Sequence, residues 1–129
     1  MLKVSLVAVA LVVLGVAGCS SPTKTYKGAG SFQQENYEID IQRQGSPNIN
    51  LTVLLNGKTA LTVDRPLNSY NDSGCEKLSL YVWSCSYLAD YTGMELSVVE
   101  IFSAKPLDQY VQYDVYLDDQ LLQRIRGSV

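Results

Sequence analysis

The chain of 129 residues has no histidine. That absence removes the commonest general base at neutral pH and the commonest metal ligand. Cysteine is sparse, three in all and none in a C-x-x-C pair, and thiols without imidazole make a poor zinc site. Basic residues are few, 10 against 13 acidic ones, so the positive excess expected of a nucleic-acid binder is missing. No G-x-S-x-G nucleophile elbow occurs, and a serine nucleophile would have only lysine or a carboxylate as its base. Lys58, Lys77 and Lys105 stand among turn-forming residues, where solvated lysines belong. Glycoside hydrolysis needs only two carboxylates, but the acids here read otherwise. Asp118-Asp119 falls in a turn, Asp114 has an arginine opposite it, and Glu38 and Asp40 occupy the polar phase of a strand. Neither Asn71-Asp72 nor Asp118-Asp119 has the oxygen-ligand spacing of an EF-hand. The expectation is a non-enzymatic protein without cofactor or metal.

Long apolar runs are also absent, with one exception. After Lys3, residues 4–17 carry no charge and are mostly Val, Leu and Ala. This run is short of the roughly 20 residues that span a bilayer, and its positive start and small-residue exit are those of a secretory signal peptide. The exit reads Val16-Ala17-Gly18-Cys19, which resembles the lipobox of bacterial lipoproteins. The likeness covers only these first twenty residues. It implies a signal peptide over residues 1–18 and a diacylglyceryl thioether on Cys19. Two or more acyl chains hold a protein stably on a membrane without crossing it. Under the enteric sorting rule of such lipoproteins, Ser20 in place of aspartate implies the periplasmic face of the outer membrane. The small, polar stretch over residues 20–31, with Pro22, Gly28 and Gly30, reads as a flexible tether behind the lipidated cysteine. A single domain then occupies residues 32–129.

With Cys19 assigned to lipid, Cys75 and Cys85 are left as an even pair in an exported chain, and such a pair reads as a disulfide. Closing that loop contributes about 3 kcal/mol on the chain-entropy account.

From residue 31 onward, helical periodicity is missing and alternation of period two recurs. Tyr37, Ile39 and Ile41 alternate with Glu38, Asp40 and Gln42, and Ile49, Leu51, Val53 and Leu55 lead into Asn56-Gly57, the strongest short hairpin signal. Residues 65–74 read as a long loop, residues 77–87 as one alternating strand, and Tyr91-Thr92-Gly93 as a turn into residues 94–102. Adjacent Val98 and Val99 suggest a strand covered on both faces. A three-residue loop at Asp118-Asp119-Gln120 would pair Leu117 with Leu121, Asp114 with Arg124 and Tyr113 with Ile125. Six or seven short strands of this kind predict a small antiparallel β-sandwich or barrel.

Nine tyrosines and one tryptophan are the remaining feature, seven of those tyrosines falling between Tyr70 and Tyr116. Tyrosine joins a rigid apolar body to a polar tip and suits surfaces that bind proteins or sugars. On the strand over residues 77–87, Tyr81, Trp83 and Tyr87 share one phase, while Leu78, Leu80 and Val82 share the other. If the aliphatic phase is core, the aromatics form an outward patch that Tyr116 can join. The alternative makes the strand central, with Trp83 packed on the Cys75–Cys85 bridge. The functional expectation is a membrane-held binding or accessory domain that recognises a neighbouring envelope protein. Two other readings are an inhibitor or immunity-type lipoprotein that blocks a hydrolase or phage factor with the loop over residues 65–74, and a cell-wall glycan binder that uses Tyr81, Trp83 and Tyr116.

Overall fold

The computed structural model describes residues 22–45, 48–66 and 74–129. The expected signal peptide, Cys19, Ser20, Tyr70, Asn71-Asp72 and most of the 65–74 loop lie outside them. Alternation of buried and exposed residues organises nine strands: β1 (Lys24–Phe32), β2 (Glu35–Gln44), β3 (Asn48–Leu55), β4 (Lys58–Pro66), β5 (Cys75–Ser79), β6 (Val82–Tyr91), β7 (Met94–Lys105), β8 (Asp108–Leu117) and β9 (Gln120–Gly127). Every hydrogen-bonded pair is antiparallel between consecutive strands, giving one sheet ordered β1-β2-β3-β4 and a second ordered β5-β6-β7-β8-β9. The inner faces meet in one apolar core. Ile39, Ile41, Leu51, Val53 and Leu55 come from the first sheet, and Leu96, Val98, Val111, Val115 and Leu117 from the second. Full burial of each such side chain contributes about 1.5–3 kcal/mol. The all-β sandwich with one disulfide is therefore as expected, with nine strands among the described residues instead of six or seven.

One extra strand lies where a tether was expected. Residues 24–31 are not tether; they belong to β1, which pairs along its whole length with β2, from Lys24 opposite Arg43 to Phe32 opposite Glu35. Their glycines answer to packing. A Cβ on Gly30 would lie 2.2 Å from the Leu122 carbonyl oxygen, and one on Gly28 would lie 2.8 Å from the Ile125 side chain. The missing side chains let β9, at the edge of one sheet, close onto β1, at the edge of the other. Tyr26 reinforces that closure, its hydroxyl donating to the Ser128 carbonyl at 2.7 Å.

The second extra strand arises because residues 77–87 are not one strand. The chain reverses at Leu80-Tyr81, between β5 and β6, and sets Cys75 directly opposite Cys85. A continuous strand would hold residues ten apart about 33 Å from each other, whereas the bridged cysteines have their Cα atoms 4.0 Å apart. The bridge and the single long strand are incompatible, and the bridge prevails. The expected aliphatic core face fails with it. Leu78 and Leu80 are exposed, and only Val82 of that set is buried.

Four hairpins turn at one end of the sandwich, at Gln33-Gln34, Asn56-Gly57, Thr92-Gly93 and Asp118-Asp119, and all eight residues have positive φ. Two-residue turns of that kind match the right-handed twist of the flanking strands. The final hairpin corrects the expected register near its tip. Asp114 opposite Arg124 and Tyr113 opposite Ile125 hold, but Leu117 pairs with Gln120, and a bulge beside Val115 and Tyr116 takes up Leu122. The bulge turns Leu122 into the core, which a three-residue loop would not do. In the central strand β7, Val98 is fully buried and Val99 half-buried on the outer face, so the outer face is only partly covered.

Because the carbonyl facing Gly30 is backbone and cannot rotate away, Gly30→Ala should destabilise the domain by about 1–3 kcal/mol. Urea unfolding measures this, and an unchanged midpoint would mean that β1 and β9 do not close tightly.

Candidate functional site

The inward phase of three strands carries charge. Glu100 follows Leu96 and Val98 along β7, Arg43 follows Ile39 and Ile41 along β2, and Arg65 follows Leu61 and Val63 along β4. Glu100 is 1% exposed. The Arg43 Nε donates to its Oε2 at 3.1 Å, and the Tyr113 hydroxyl donates to the same oxygen at 2.7 Å. Arg65 Nη2 stands 3.7 Å from the other oxygen, Oε1. The Arg65 guanidinium also lies against the disulfide, with Nη1 2.7 Å from Cys75 Sγ and Nη2 3.3 Å from Cys85 Sγ. One carboxylate from the five-stranded sheet is thus held between two arginines of the four-stranded sheet.

Such a buried ion group is costly to form and still more costly to break, because removing one member leaves the others charged and poorly solvated. Burial, then the Glu100 charge and the hydrogen bond to it, push the Tyr113 phenol well above its ordinary range. It remains neutral and donating at any physiological pH. With its partners committed to it, the cluster acts as a clasp between sheets. Composition and motif did not single out Glu100, Arg43 or Arg65. The available signal was phase, since each charge falls on the apolar side of an alternating strand.

The four aromatics expected to form a patch are dispersed. Tyr87 packs against the core, beneath the Arg65 guanidinium at 5.5 Å. Trp83 is half-buried, with Lys77 Nζ 5.8 Å from its ring. Tyr81 is exposed in the β5–β6 turn. Tyr116 lies on the outer face of the five-stranded sheet, opposite Ser97 on β7 and Leu121 on β9. Tyr81, Trp83 and Tyr116 therefore do not make one platform for a sugar.

Tyr116 does join other apolar groups. The register Leu88–Ser97–Tyr116–Leu121 runs straight across β6, β7, β8 and β9. Leu88 is 66% exposed and Leu121 46%. Beside this row is an open groove lined by Leu88, Ala89, Asp90, Gly93, Glu95 and Asp118. Ser97 interrupts the row between Leu88 and Tyr116, and exposed apolar groups ordered along one line with a polar rim suit an interaction surface. Six of the nine exposed acids among the described residues fall at one end of the sandwich. Glu35, Glu38, Asp90, Glu95, Asp118 and Asp119 cluster at or near the four tight turns, where Lys58 is the basic residue. Among the described residues no group of three Cys, Asp or Glu is placed to hold a metal ion.

Glu100→Gln should lower stability by about 3 kcal/mol, since both arginines lose their counter-charge, and thermal and urea unfolding check it. Tyr113 supplies an alkaline signature. Its folded pKa lies above the usual 10.0, so its stabilisation is complete below about pH 10 and is lost as pH rises, because the unfolded chain ionises first. Tyr113→Phe should flatten that alkaline fall, and a pH–stability profile unchanged by the substitution would contradict the assignment. No known protein family, no curated protein and no solved structure matches the chain.

Proposed function

We propose that the protein is a lipoprotein of the outer membrane's periplasmic face, whose sandwich is a non-enzymatic recognition domain for a neighbouring envelope protein. The observation that carries this reading is the apolar row Leu88–Tyr116–Leu121 on a rigid sheet, in a chain whose Cys19 ends a lipobox. The row lies towards the four tight turns, and β1 starts at the opposite end of the sandwich. An anchor on Cys19 therefore leaves the row pointing away from the lipid. Confinement to the membrane surface raises the effective concentration of the domain toward its partner and offsets a modest intrinsic affinity. The acidic rim of Asp90, Glu95 and Asp118 favours a partner with basic groups around an apolar contact, through attraction that speeds encounter and rejects acidic surfaces.

Radiolabelled palmitate should enter the wild-type protein in cells and not Cys19→Ala; equal labelling would end the lipoprotein reading. A photo-crosslinking residue in place of Leu88 should give a discrete adduct in intact envelopes, which Leu121→Asp removes, while one in place of Thr52 on the other sheet gives none. Because Leu88 and Leu121 are exposed, these changes should move stability by no more than about 0.5 kcal/mol. Adducts of equal yield from both sheets would overturn the surface assignment.

A further inference from the structure

The end of the sandwich away from the four tight turns differs in chemistry. Its turns are Leu80-Tyr81, between β5 and β6, and Pro106-Leu107, between β7 and β8. They are neighbours, since the Ala104 amide donates to the Tyr81 carbonyl at 2.8 Å and Lys105 pairs with Asp108 across the second turn. Both present apolar side chains to solvent. Leu80 is 67% exposed, Tyr81 is 43% exposed, and Leu107 is fully exposed. Of these three tip residues Leu107 buries nothing within the fold, and Leu80 and Tyr81 leave much of their apolar surface in water.

The same end is basic. Lys105 flanks the second turn, Lys77 lies on β5 just before the first, and Lys24 begins β1. Lys24 and Tyr26 hydrogen-bond to the carbonyls of Val129 and Ser128. These contacts fix the start of β1 beside the end of β9, and so at the end that carries Leu107. Arg126 is there too, stacked 3.6 Å from the Tyr110 ring and 3.9 Å from Asp108. Asp64, Glu76 and Asp108 are the exposed acids towards this end, and Asp108 is the one paired with Arg126. Three of the five exposed lysines, Lys24, Lys77 and Lys105, thus sit at this end, whereas Lys58 lies among the acids of the tight turns.

We infer that this end is a lipid-docking base, in which Leu80, Tyr81 and Leu107 enter the interface of an anionic leaflet while Lys24, Lys77 and Lys105 meet its headgroups. The inference rests on the anchor proposed at Cys19. Only residues 20–23 separate Cys19 from β1, and the five Cα steps from Cys19 to Lys24 reach at most about 18 Å. An acyl-bearing cysteine on so short a lead brings this end, and no other, against the bilayer. Leucine and tyrosine at a tip enter the headgroup boundary to a depth of about 5–10 Å, and each lysine near an anionic surface adds about 1 kcal/mol of attraction. The lipid chains then secure the protein, and the base orients it, so that the Leu88–Tyr116–Leu121 row always faces outward from the membrane.

The test uses the mature, lipidated protein in phosphatidylethanolamine–phosphatidylglycerol vesicles. Leu107→Cys and, at the far end, Lys58→Cys carry the same environment-sensitive fluorophore. Headgroup spin-labelled lipid should quench the probe at position 107 roughly threefold more than the probe at 58, as expected for a tip within the interface. Leu80→Asp should cut that contrast about twofold without lowering the melting temperature, and omitting phosphatidylglycerol should weaken it. A contrast unchanged by Leu80→Asp, set by the short lead alone, overturns the docking base. Equal quenching at both positions, in protein that carries palmitate on Cys19, overturns the docking base and leaves the anchor standing. Disulfide crosslinks between unlabelled Leu107→Cys copies in the same vesicles would assign the tip to a second copy instead and also overturn it. Absence of palmitate from Cys19 removes the anchor and the base together.

Discussion

The two sheets are held in one relative position by a carboxylate that cannot be left alone. Glu100 has almost no contact with water, and an isolated charge in such a place would be prohibitive. Its charge is met by hydrogen bonds to Oε2 from Arg43 of β2 and Tyr113 of the adjacent strand β8, and by the Arg65 guanidinium of β4 near Oε1. Apolar contacts slide with little penalty, but this group does not, because its hydrogen bonds have direction and its neighbours are fixed on rigid strands. Arg65 extends the constraint to the disulfide, so the β5–β6 hairpin is tied to the same point. The ion group is weak evidence of net stability, since desolvation offsets most of the attraction. We assign its role to alignment.

A sandwich made of two consecutive meanders leaves four strand edges, and unpaired edges invite association with other chains. Two of them, β1 and β9, are brought together, and the contact is possible because Gly28 and Gly30 present no side chain to β9. β5 is kept short, five residues long with Glu76 and Lys77 exposed on it, and β4 ends in Pro66, which has no amide hydrogen to offer. Regular hairpins at one end and apolar tips at the other then give the molecule a polarity that its net charge of −3 conceals. In the proposed setting, that polarity assigns one end to lipid and leaves the apolar row for a protein partner.

Local patterning made much of the fold legible. Alternation in residues 37–41, the Asn56-Gly57 turn, and the pairing of Asp114 with Arg124 each depend on a few neighbouring residues, and the structure keeps all three. The guanidinium of Arg124 meets Asp114 through two hydrogen bonds, at 2.7 and 3.0 Å. Gln33-Gln34 forms the same kind of turn without Gly, Asn or Asp to announce it, so β1 was unreadable as half of a hairpin. Its glycines, read locally, signalled flexibility, while their actual requirement comes from β9, some ninety residues away. The candidate site was less legible still. Tyr116 stands out in the sequence for its type, yet Leu121 becomes its neighbour, and Leu88 joins their row beyond Ser97, only through registers set by three separate hairpins.

The sequence alone determined the all-β class, the bridge between Cys75 and Cys85 and the hairpins at Asn56-Gly57, Thr92-Gly93 and Asp118-Asp119, because side-chain alternation, turn chemistry and cysteine parity act over short stretches of chain. Which strands face each other, which side of β6 is the core, and where Glu100 finds its arginines were decided only by the tertiary structure. Those outcomes follow from burial across two sheets, and a charge on an apolar phase acquires its partner only when the opposing sheet arrives.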